Sequence, residues 1–178
     1  MRRVLAGMTL AMALFALGCT GMPRGIEPVT GFEVERYLGK WYEIARLDHR
    51  FERGLSDVSA TYALREDGAM SVLNRGFSAQ EGAWKEASGS ARFRGEPTVG
   101  SLKVTFFWPF YGGYHIIALD KQGYAYAMVT GPNRSYLWIL SRTKEMHERV
   151  LEGLVRQAAE LGFATQDLIY VPQDRPDG

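Results

Sequence analysis

The side chains best suited to catalysis or metal binding in this sequence are three histidines and a single cysteine. His49, His115 and His147 lie far apart along the chain, and none has a second histidine or a cysteine at the spacing of a metal site. No serine stands in the Gly-x-Ser-x-Gly pattern of a nucleophile elbow. The cysteine, Cys19, precedes every histidine and lies close to the N-terminus. We therefore expect a binding protein rather than an enzyme, with no metal and no cofactor.

The first eighteen residues have the form of a secretory signal peptide. Met1-Arg2-Arg3 gives a positive start, and residues 4–17 form an uncharged, mostly apolar run that is too short to span a bilayer. Small residues then precede Cys19 in the segment Ala16-Leu17-Gly18-Cys19, which resembles the lipobox of bacterial lipoproteins. That resemblance implies cleavage before Cys19, diacylation of its thiol and acylation of the new amine. The alternative is an ordinary signal peptide with an unrelated cysteine near its cleavage site.

The charge of the processed chain excludes nucleic acid as a partner. Removal of residues 1–18 takes away Arg2 and Arg3 and leaves 19 basic and 20 acidic residues, with no basic run among them. A single cysteine permits no internal disulfide, so the hydrophobic core must supply the stability alone.

We expect one folded domain between two less regular segments. Residues 19–30 contain two glycines and two prolines without an apolar period, and they predict a lipidated tether. The domain is predicted over residues 31–172, and residues 173–178 are predicted to be a loose tail. Several acyl chains on Cys19 would make the attachment to the membrane stable.

The body of the chain predicts an all-β fold followed by one helix. Short segments with alternating apolar residues are separated by turn-forming residues, a pattern typical of an antiparallel sandwich or barrel. We predict eight strands, at residues 41–47, 57–64, 70–77, 84–94, 101–107, 114–119, 124–130 and 136–141. A helix with an apolar stripe is predicted after them, capped by Thr143 and ended by Gly162, and it should pack on the outside of the sheet. Residues 166–171 predict a short last strand.

Several motifs in a fixed order resemble the lipocalin family. Gly39-Lys40-Trp41 is similar to the Gly-x-Trp motif of lipocalins, and Arg142 is similar to the arginine that follows their eighth strand. Further segments resemble the bacterial lipoprotein branch, namely Trp41-Tyr42-Glu43-Ile44-Ala45-Arg46, Asp48-His49-Arg50-Phe51-Glu52-Arg53-Gly54, Pro109-Phe110-Tyr111-Gly112-Gly113-Tyr114 and Tyr136-Leu137-Trp138-Ile139-Leu140-Ser141-Arg142. One departure is Trp108, where family members usually have a smaller residue. The resemblance implies an eight-stranded antiparallel up-and-down barrel with a C-terminal helix outside.

In such a barrel the two ends have different roles. Gly39 would allow the tight approach to the first strand, and Arg142 would stack on Trp41 and close the floor. Because successive hairpins alternate between the two ends, we place the loops at residues 49–56, 78–83, 108–113 and 131–135 at the open mouth. The mouth would then carry three basic residues, Arg50, Arg53 and Arg134.

The period of two along a strand predicts part of the lining. Arg142 must point inward at the floor, so Leu140 and Trp138 point inward as well. A plausible set for the other strands is Val104, Phe106, Tyr114, Ile116, Tyr126 and Met128. An eight-stranded barrel is wide enough for one small ligand, with lipocalins as a known example of such a barrel. Aromatic and aliphatic walls suit an acyl chain.

The family resemblance implies storage or transport of lysophospholipids or fatty acids for membrane maintenance. Thr20 follows Cys19 and no aspartate is there to signal retention in the inner membrane, so we expect anchoring in the outer membrane, facing the periplasm. Alternatives are another hydrophobic cargo, such as haem or a bilin, and a lipid-modifying enzyme. A further alternative is an interaction module, in which Trp108, Phe110 and Tyr111 form a patch at the mouth for a partner, a membrane or a homodimer; otherwise these aromatics fold back over the barrel entrance.

Overall fold

The chain folds into a closed antiparallel barrel with one long helix outside it. The structure, a computed structural model, describes residues 20–176; the predicted signal peptide and Cys19 lie outside the described residues. The strands are β1 Gly39–Arg46, β2 Leu55–Leu64, β3 Met70–Ser78, β4 Ala83–Phe93, β5 Ser101–Phe107, β6 Phe110–Leu119, β7 Tyr126–Thr130, β8 Leu137–Ser141 and β9 Ile169–Tyr170. The helices are α1 Val34–Tyr37, α2 Glu148–Glu160 and a 3-10 turn at Thr165–Asp167.

Strand β1 closes the barrel because it pairs on both of its edges. Residues 39–42 pair with β2, and residues 42–46 pair with β8. The remaining neighbours follow chain order from β2 to β8, each antiparallel to the next. The predicted eight-stranded up-and-down barrel is therefore confirmed. β1, β3, β5 and β7 run from the floor to the mouth, and the even-numbered strands return.

Two apolar clusters divide the inside of the barrel from the outside. The inner cluster consists of Phe32, Tyr37, Trp41, Tyr62, Met70, Val72, Ala91, Leu102, Ile116, Tyr124, Ala127, Val129 and Leu140. The outer cluster consists of Ile26, Ile44, Ala45, Leu47, Ile117, Met128, Leu137, Ile139, Leu154, Ala158 and Phe163. On β8 the two clusters alternate residue by residue, as the pleat of a strand requires.

Helix α2 packs its apolar stripe against the outer cluster, with Leu154 and Ala158 buried. Its start differs from the prediction: the helix begins at Glu148, and the side chain of His147 accepts a hydrogen bond from the Arg149 amide. The predicted end at Gly162 is confirmed, since this residue has φ of +82°. No helix within residues 20–176 is long and apolar enough to cross a bilayer.

The N-terminal segment packs on the barrel, and the prediction of a tether reaching to residue 30 is wrong. Ile26 is buried in the outer cluster, and the Val29 amide donates to the Ile116 carbonyl over 2.8 Å. The Gly21 carbonyl contacts His115 Nε2 at 2.7 Å, and Thr30 forms a bridge with Val99. These backbone bonds were invisible to the sequence pattern because the segment has no apolar period.

The C-terminal segment is also ordered against the barrel, and the prediction of a loose tail is wrong for residues 173–175. Strand β9 pairs with β1 at Ala45 and Arg46, on the edge that β2 occupies nearer the floor. Gln173 Nε2 then donates to the carbonyls of Glu43 on β1 and Val58 on β2, both at 2.9 Å. The end of the chain therefore closes the gap where β1 and β2 separate.

The segment at residues 108–113, predicted to be a glycine-rich loop, is mostly strand. Phe107 pairs with Phe110, so β5 and β6 are joined by a two-residue turn, Trp108-Pro109, whose peptide bond is cis. Gly112 and Gly113 continue the pairing with Val104 and Lys103. The aromatic residues of this segment therefore project from a hairpin at the mouth.

Candidate functional site

An arginine lies on a tryptophan at the floor of the barrel. The guanidinium of Arg142 is 3.9 Å from the ring centre of Trp41, which is fully buried. Arg142 also donates to the carbonyls of Lys40 at 2.9 Å and Arg36 at 2.7 Å. Gly39 has φ of +91°, and a Cβ at this position would lie 3.5 Å from Arg142 Nη1. The structure thus brings the three predicted floor residues together, and burial of the guanidinium lowers the pKa of Arg142 without removing its charge at neutral pH.

Three tyrosine hydroxyls meet inside the barrel above this floor. The hydroxyl of Tyr114 lies 2.7 Å from that of Tyr37 and 2.9 Å from that of Tyr62. Burial raises the pKa of all three phenols, so they stay protonated at neutral pH. Because each hydroxyl has a partner among the others, the group presents a satisfied polar surface to an apolar cargo. Sequence reasoning placed only Tyr114 here, since Tyr37 comes from the short helix α1.

Six of the eight predicted lining residues lie in or against the inner cluster. They are Val104, Phe106, Tyr114, Ile116, Trp138 and Leu140. Ile116 and Leu140 are buried, whereas Val104, Phe106, Tyr114 and Trp138 keep part of their surface accessible although they face the interior. Buried and partly accessible residues therefore alternate along the inner wall, and Phe106 and Trp138, nearer the mouth, are among those that solvent reaches.

The other two predicted lining residues are wrong. Met128 belongs to the outer cluster, and Tyr126 packs against that cluster beside Leu154 of α2. On β7 the inward positions are Ala127 and Val129. A period of two allows either alternate set of residues on this short strand to face inward. The larger side chains were taken as the lining, but they lie on the outside of the barrel beneath the helix.

The walls near the mouth are lined in part by small residues. A Cβ on Gly89 would lie 2.7 Å from the Thr105 carbonyl oxygen and 2.8 Å from the Phe106 ring. The ring of Phe106 can therefore approach the β4 backbone this closely only because β4 has a glycine at this point. The ladder between β4 and β5 joins only residues 90–93 to residues 102–105, in the floor half.

A buried group of charged side chains lies inside the barrel below the mouth. Arg46 Nη1 is 2.7 Å from Glu43 Oε1, and Arg46 Nη2 donates to the carbonyls of Glu52 and Leu55. Glu52 Oε2 lies 3.0 Å from His49 Nε2 and accepts a hydrogen bond from Trp138 Nε1 at 3.0 Å. Arg46 is opposite Trp138 and Glu43 is opposite Leu140 in the β1–β8 register, so both charged residues share the inner face.

The two carboxyl groups of this site titrate in opposite directions. Burial and the nearby Glu52 raise the pKa of Glu43 well above its usual value, against the opposing effect of Arg46. Burial also acts to raise the pKa of Glu52, but its hydrogen bonds with His49 and Trp138 outweigh burial and lower it. Burial and Glu52 therefore favour the protonated form of Glu43, whereas the contacts of Glu52 favour its ionised form.

Sequence reasoning missed this buried charged group because it depends on a β-bulge. In a regular strand, residues three apart point to opposite faces, so Glu43 and Arg46 would be separated. The register between β1 and β8 shifts between Glu43 and Ala45, and this extra residue returns Arg46 to the inner face. The available signal was the unusual run of charged residues within and after the first strand.

The predicted mouth arginines have different surroundings. Arg50 is exposed with its guanidinium 4.9 Å from the Phe51 ring centre, and Arg53 forms an ion pair with Asp48 at 2.8 Å. Arg134 is misassigned as mouth charge: its side chain donates to the Leu161 carbonyl at the end of α2 and to the Arg24 carbonyl. It joins the helix to the N-terminal segment on the outside of the barrel.

The histidines do not converge. His115 contacts Ser101 Oγ at 3.0 Å and the Gly21 carbonyl beneath the N-terminal segment, and burial lowers its pKa. His49 belongs to the inner charged group and His147 caps α2. Residues 20–176 contain no group of three histidine, cysteine, aspartate or glutamate side chains that could hold a metal ion.

Comparison with known proteins decides the family. Residues 32–173 match the family model of the lipocalin-like domain. The chain belongs to the lipocalin family. It is 55% identical to outer membrane lipoprotein Blc of Vibrio cholerae, over 88% of this chain and 91% of the relative, and 48% identical to outer membrane lipoprotein Blc of Escherichia coli, over 96% of both.

The fold is also that of solved lipocalin structures. Insecticyanin from the tobacco hornworm Manduca sexta superposes with a TM-score of 0.69 at 21% identity, covering 89% of this chain and 88% of that one. The identity with the lipoproteins extends over nearly the whole chain, so this lipocalin is an outer-membrane lipoprotein, and the predicted location is confirmed. Lipocalins bind hydrophobic ligands, which agrees with the apolar inner wall.

Proposed function

We propose that this lipocalin binds the acyl chain of a lysophospholipid or fatty acid inside its barrel. The observation that carries the proposal is the wall formed by Val104, Phe106, Tyr114 and Trp138, which faces inward yet keeps accessible surface. The sealed floor leaves one way in and one direction for the chain to lie. Burial of about ten methylene groups, at about 0.8 kcal/mol each, exceeds the cost of ordering the ligand.

The buried charged group argues for a cargo whose polar end stays at the rim. Arg46 already contacts Glu43 and two backbone carbonyls, and Glu52 already contacts His49 and Trp138. A headgroup pushed among them would have to replace these contacts. A single-chain lipid with its headgroup near Arg50 and its tail against the inner wall leaves them intact.

We further propose Cys19 as the acylated residue that anchors the domain on the periplasmic face of the outer membrane. Its support is the lipobox-like segment that ends at this residue. Replacement of Cys19 by Ser should release the protein into the soluble periplasmic fraction. Recovery of the variant with the outer membrane would contradict this assignment.

The cargo proposal is tested by a pair of substitutions on neighbouring residues of β5. Val104→Trp places an indole in the interior, whereas Lys103→Trp places the same group on the outer face, where Lys103 lies over the Tyr111 ring. We expect native mass spectrometry to show lysophosphatidylethanolamine and palmitate bound to the wild type and to Lys103→Trp. Binding to Val104→Trp should fall at least about tenfold, because the added indole fills space that the chain needs.

Three outcomes of this experiment would contradict the proposal. Equal binding by the two variants would place the cargo elsewhere. Haem binding in preference to both lipids would identify a different cargo. Release of a chemically altered lipid would indicate an enzyme. Recovery of unchanged lipid from the wild type supports a carrier.

A further inference from the structure

We propose that the open end of the barrel docks on the membrane surface through an aromatic patch. The rim patch consists of Phe51, Phe107, Trp108 and Phe110. Their exposed fractions are 64%, 78%, 81% and 77%, higher than that of any other exposed large hydrophobic residue among residues 20–176. Large apolar side chains exposed together mark a surface that contacts an apolar partner.

The rim patch lies at the mouth because of how the strands connect. Phe107 ends β5 and Phe110 begins β6, and the two are paired across the Trp108-Pro109 turn. Phe51 belongs to the connection between β1 and β2, at the same end of the barrel. The barrel therefore presents these rings on the side from which cargo enters. Other exposed apolar residues, such as Leu64 and Leu73, lie towards the floor or on the outer wall.

The attachment point of the chain lies beside this patch. The carbonyls of Thr20 and Gly21 approach Gly113 closely enough that a Cβ there would lie 3.1 and 2.7 Å from them. Gly113 is three residues from Phe110 along β6, a distance of about 10 Å along a strand. Cys19 is bonded to Thr20, so its Cα is about 3.8 Å from that of Thr20. An anchor at Cys19 thus enters the membrane at the same end of the barrel.

This juxtaposition selects a bilayer as the occupant of the patch. Aromatic side chains are favoured at the boundary between headgroups and acyl chains. Basic groups flank the rings: Arg50 lies against Phe51, and Lys103 lies over Tyr111 on the outer face of the hairpin. Such groups favour phospholipid headgroups, above all anionic ones. The mouth would then open onto lipid, and a single-chain lipid could move between bilayer and barrel without crossing bulk water.

The first experiment measures contact of the patch with lipid directly. The full acylated protein is reconstituted in vesicles of phosphatidylethanolamine and phosphatidylglycerol whose acyl chains are brominated near the headgroup. Trp108→Phe should lose most of the quenching of tryptophan fluorescence, whereas the matched variant Trp138→Phe, which lacks the interior indole, should keep it. Equal quenching in the two variants would overturn the proposal.

The second experiment separates membrane docking from cargo binding. The variant Phe107→Ser/Trp108→Ser/Phe110→Ser should take up lysophosphatidylethanolamine from vesicles at least about tenfold more slowly, because the apolar contact with the bilayer is lost. Its uptake of the same lipid supplied as monomers should match the wild type, which shows that the variant folds. The control Leu64→Ser/Leu73→Ser should resemble the wild type in both assays. The proposal would be overturned if the patch variant took up lipid from vesicles at the wild-type rate, or if its only change were from dimer to monomer. If the wild type itself failed to take up monomeric lipid, the cargo assignment would be overturned instead.

Discussion

The roles of some single residues in this barrel cannot be predicted from their position in the sequence. The structure has Trp41 and Arg142 in contact at the floor and Leu140 in the inner cluster, and the family motif and a period of two point to the same positions. Sequence reasoning missed Glu43 and Arg46, because a bulge of one residue changes which side chains face inward. Alternation of side chains predicts which residues face inward on a regular strand, but it fails where a bulge shifts the register. In this protein the bulge in β1 creates the charged part of the interior.

The raised pKa of Glu43 predicts a pH dependence of stability. A carboxyl group that holds its proton more tightly when folded contributes stability below its unfolded pKa, about 4.3, and loses that contribution as pH rises through the folded value. The groups facing it are Arg46 and Glu52, with His49 on the far side of Glu52. We expect the free energy of unfolding of the wild type to fall as the pH rises above about 4.3, and that of Glu43→Gln to be flatter over the same range.

The measurement is urea denaturation across this pH range. The control is Glu66→Gln, in an exposed turn, whose free energy of unfolding should change with pH as that of the wild type does. A Glu43→Gln variant with the same pH slope as the wild type would show that Glu43 is already ionised in the folded state.

Arg142→Ala tests the floor. Its loss removes the cation–π contact with Trp41 and the hydrogen bonds to the partly buried Lys40 carbonyl and the exposed Arg36 carbonyl, so we expect the free energy of unfolding to fall by about 1–3 kcal/mol. Arg156→Ala, on the exposed face of α2, should change it by less than about 0.5 kcal/mol. Urea midpoints of the two variants give the comparison, and similar midpoints would deny Arg142 a stabilising role.

At the scale of elements, the strands could be predicted from the sequence, but the β5–β6 connection and the packing of the terminal segments could not. Each predicted strand overlaps an observed one because alternation and turn residues report local structure. The β5–β6 hairpin was misjudged because Gly112 and Gly113 read as loop residues, although they pair regularly with β5. The terminal segments were misjudged because they are held by backbone hydrogen bonds, which leave no pattern in the side chains.

Gln173 is the clearest test of the joint between β1, β2 and the C-terminal segment. Gln173→Ala removes a donor that bonds one carbonyl on each strand, so we expect a loss of about 1–3 kcal/mol in the free energy of unfolding. Hydrogen exchange should accelerate at the mouth ends of β1 and β2 and not in β5. The control Gln166→Ala, whose side chain bonds only its exposed neighbour Asp167, should leave exchange unchanged. Uniform acceleration over the whole barrel would contradict a local role.

At the scale of the whole molecule, the two ends of the barrel differ. The floor is closed by the Trp41–Arg142 pair, whereas the mouth carries the exposed rim patch. The fold therefore does not require cargo in order to form, although bound cargo would add to its stability. The overall architecture was predictable from motif order, but the accessible volume was not, because it depends on small residues such as Gly89.

Cargo should raise the melting temperature of the whole domain. A ligand that binds only the folded state stabilises it by about 2.7 kcal/mol at a hundredfold excess over its dissociation constant. We expect lysophosphatidylethanolamine to raise the melting temperature of the wild type and of Lys103→Trp but not that of Val104→Trp. Calorimetry with and without the lipid checks this. An upward change in Val104→Trp would place the ligand outside the barrel.

The N-terminal segment sets the distance between the barrel and an anchor at Cys19. If the eleven residues after Cys19 were free, they would form a tether of up to about 38 Å. The contacts of Gly21 with the barrel shorten the free part of this tether to about 7 Å. A domain acylated at Cys19 then cannot cross the periplasm to serve a second membrane, nor turn its mouth far from the leaflet that holds it. On the proposed function, such a domain would exchange lipid only with the membrane that holds its anchor.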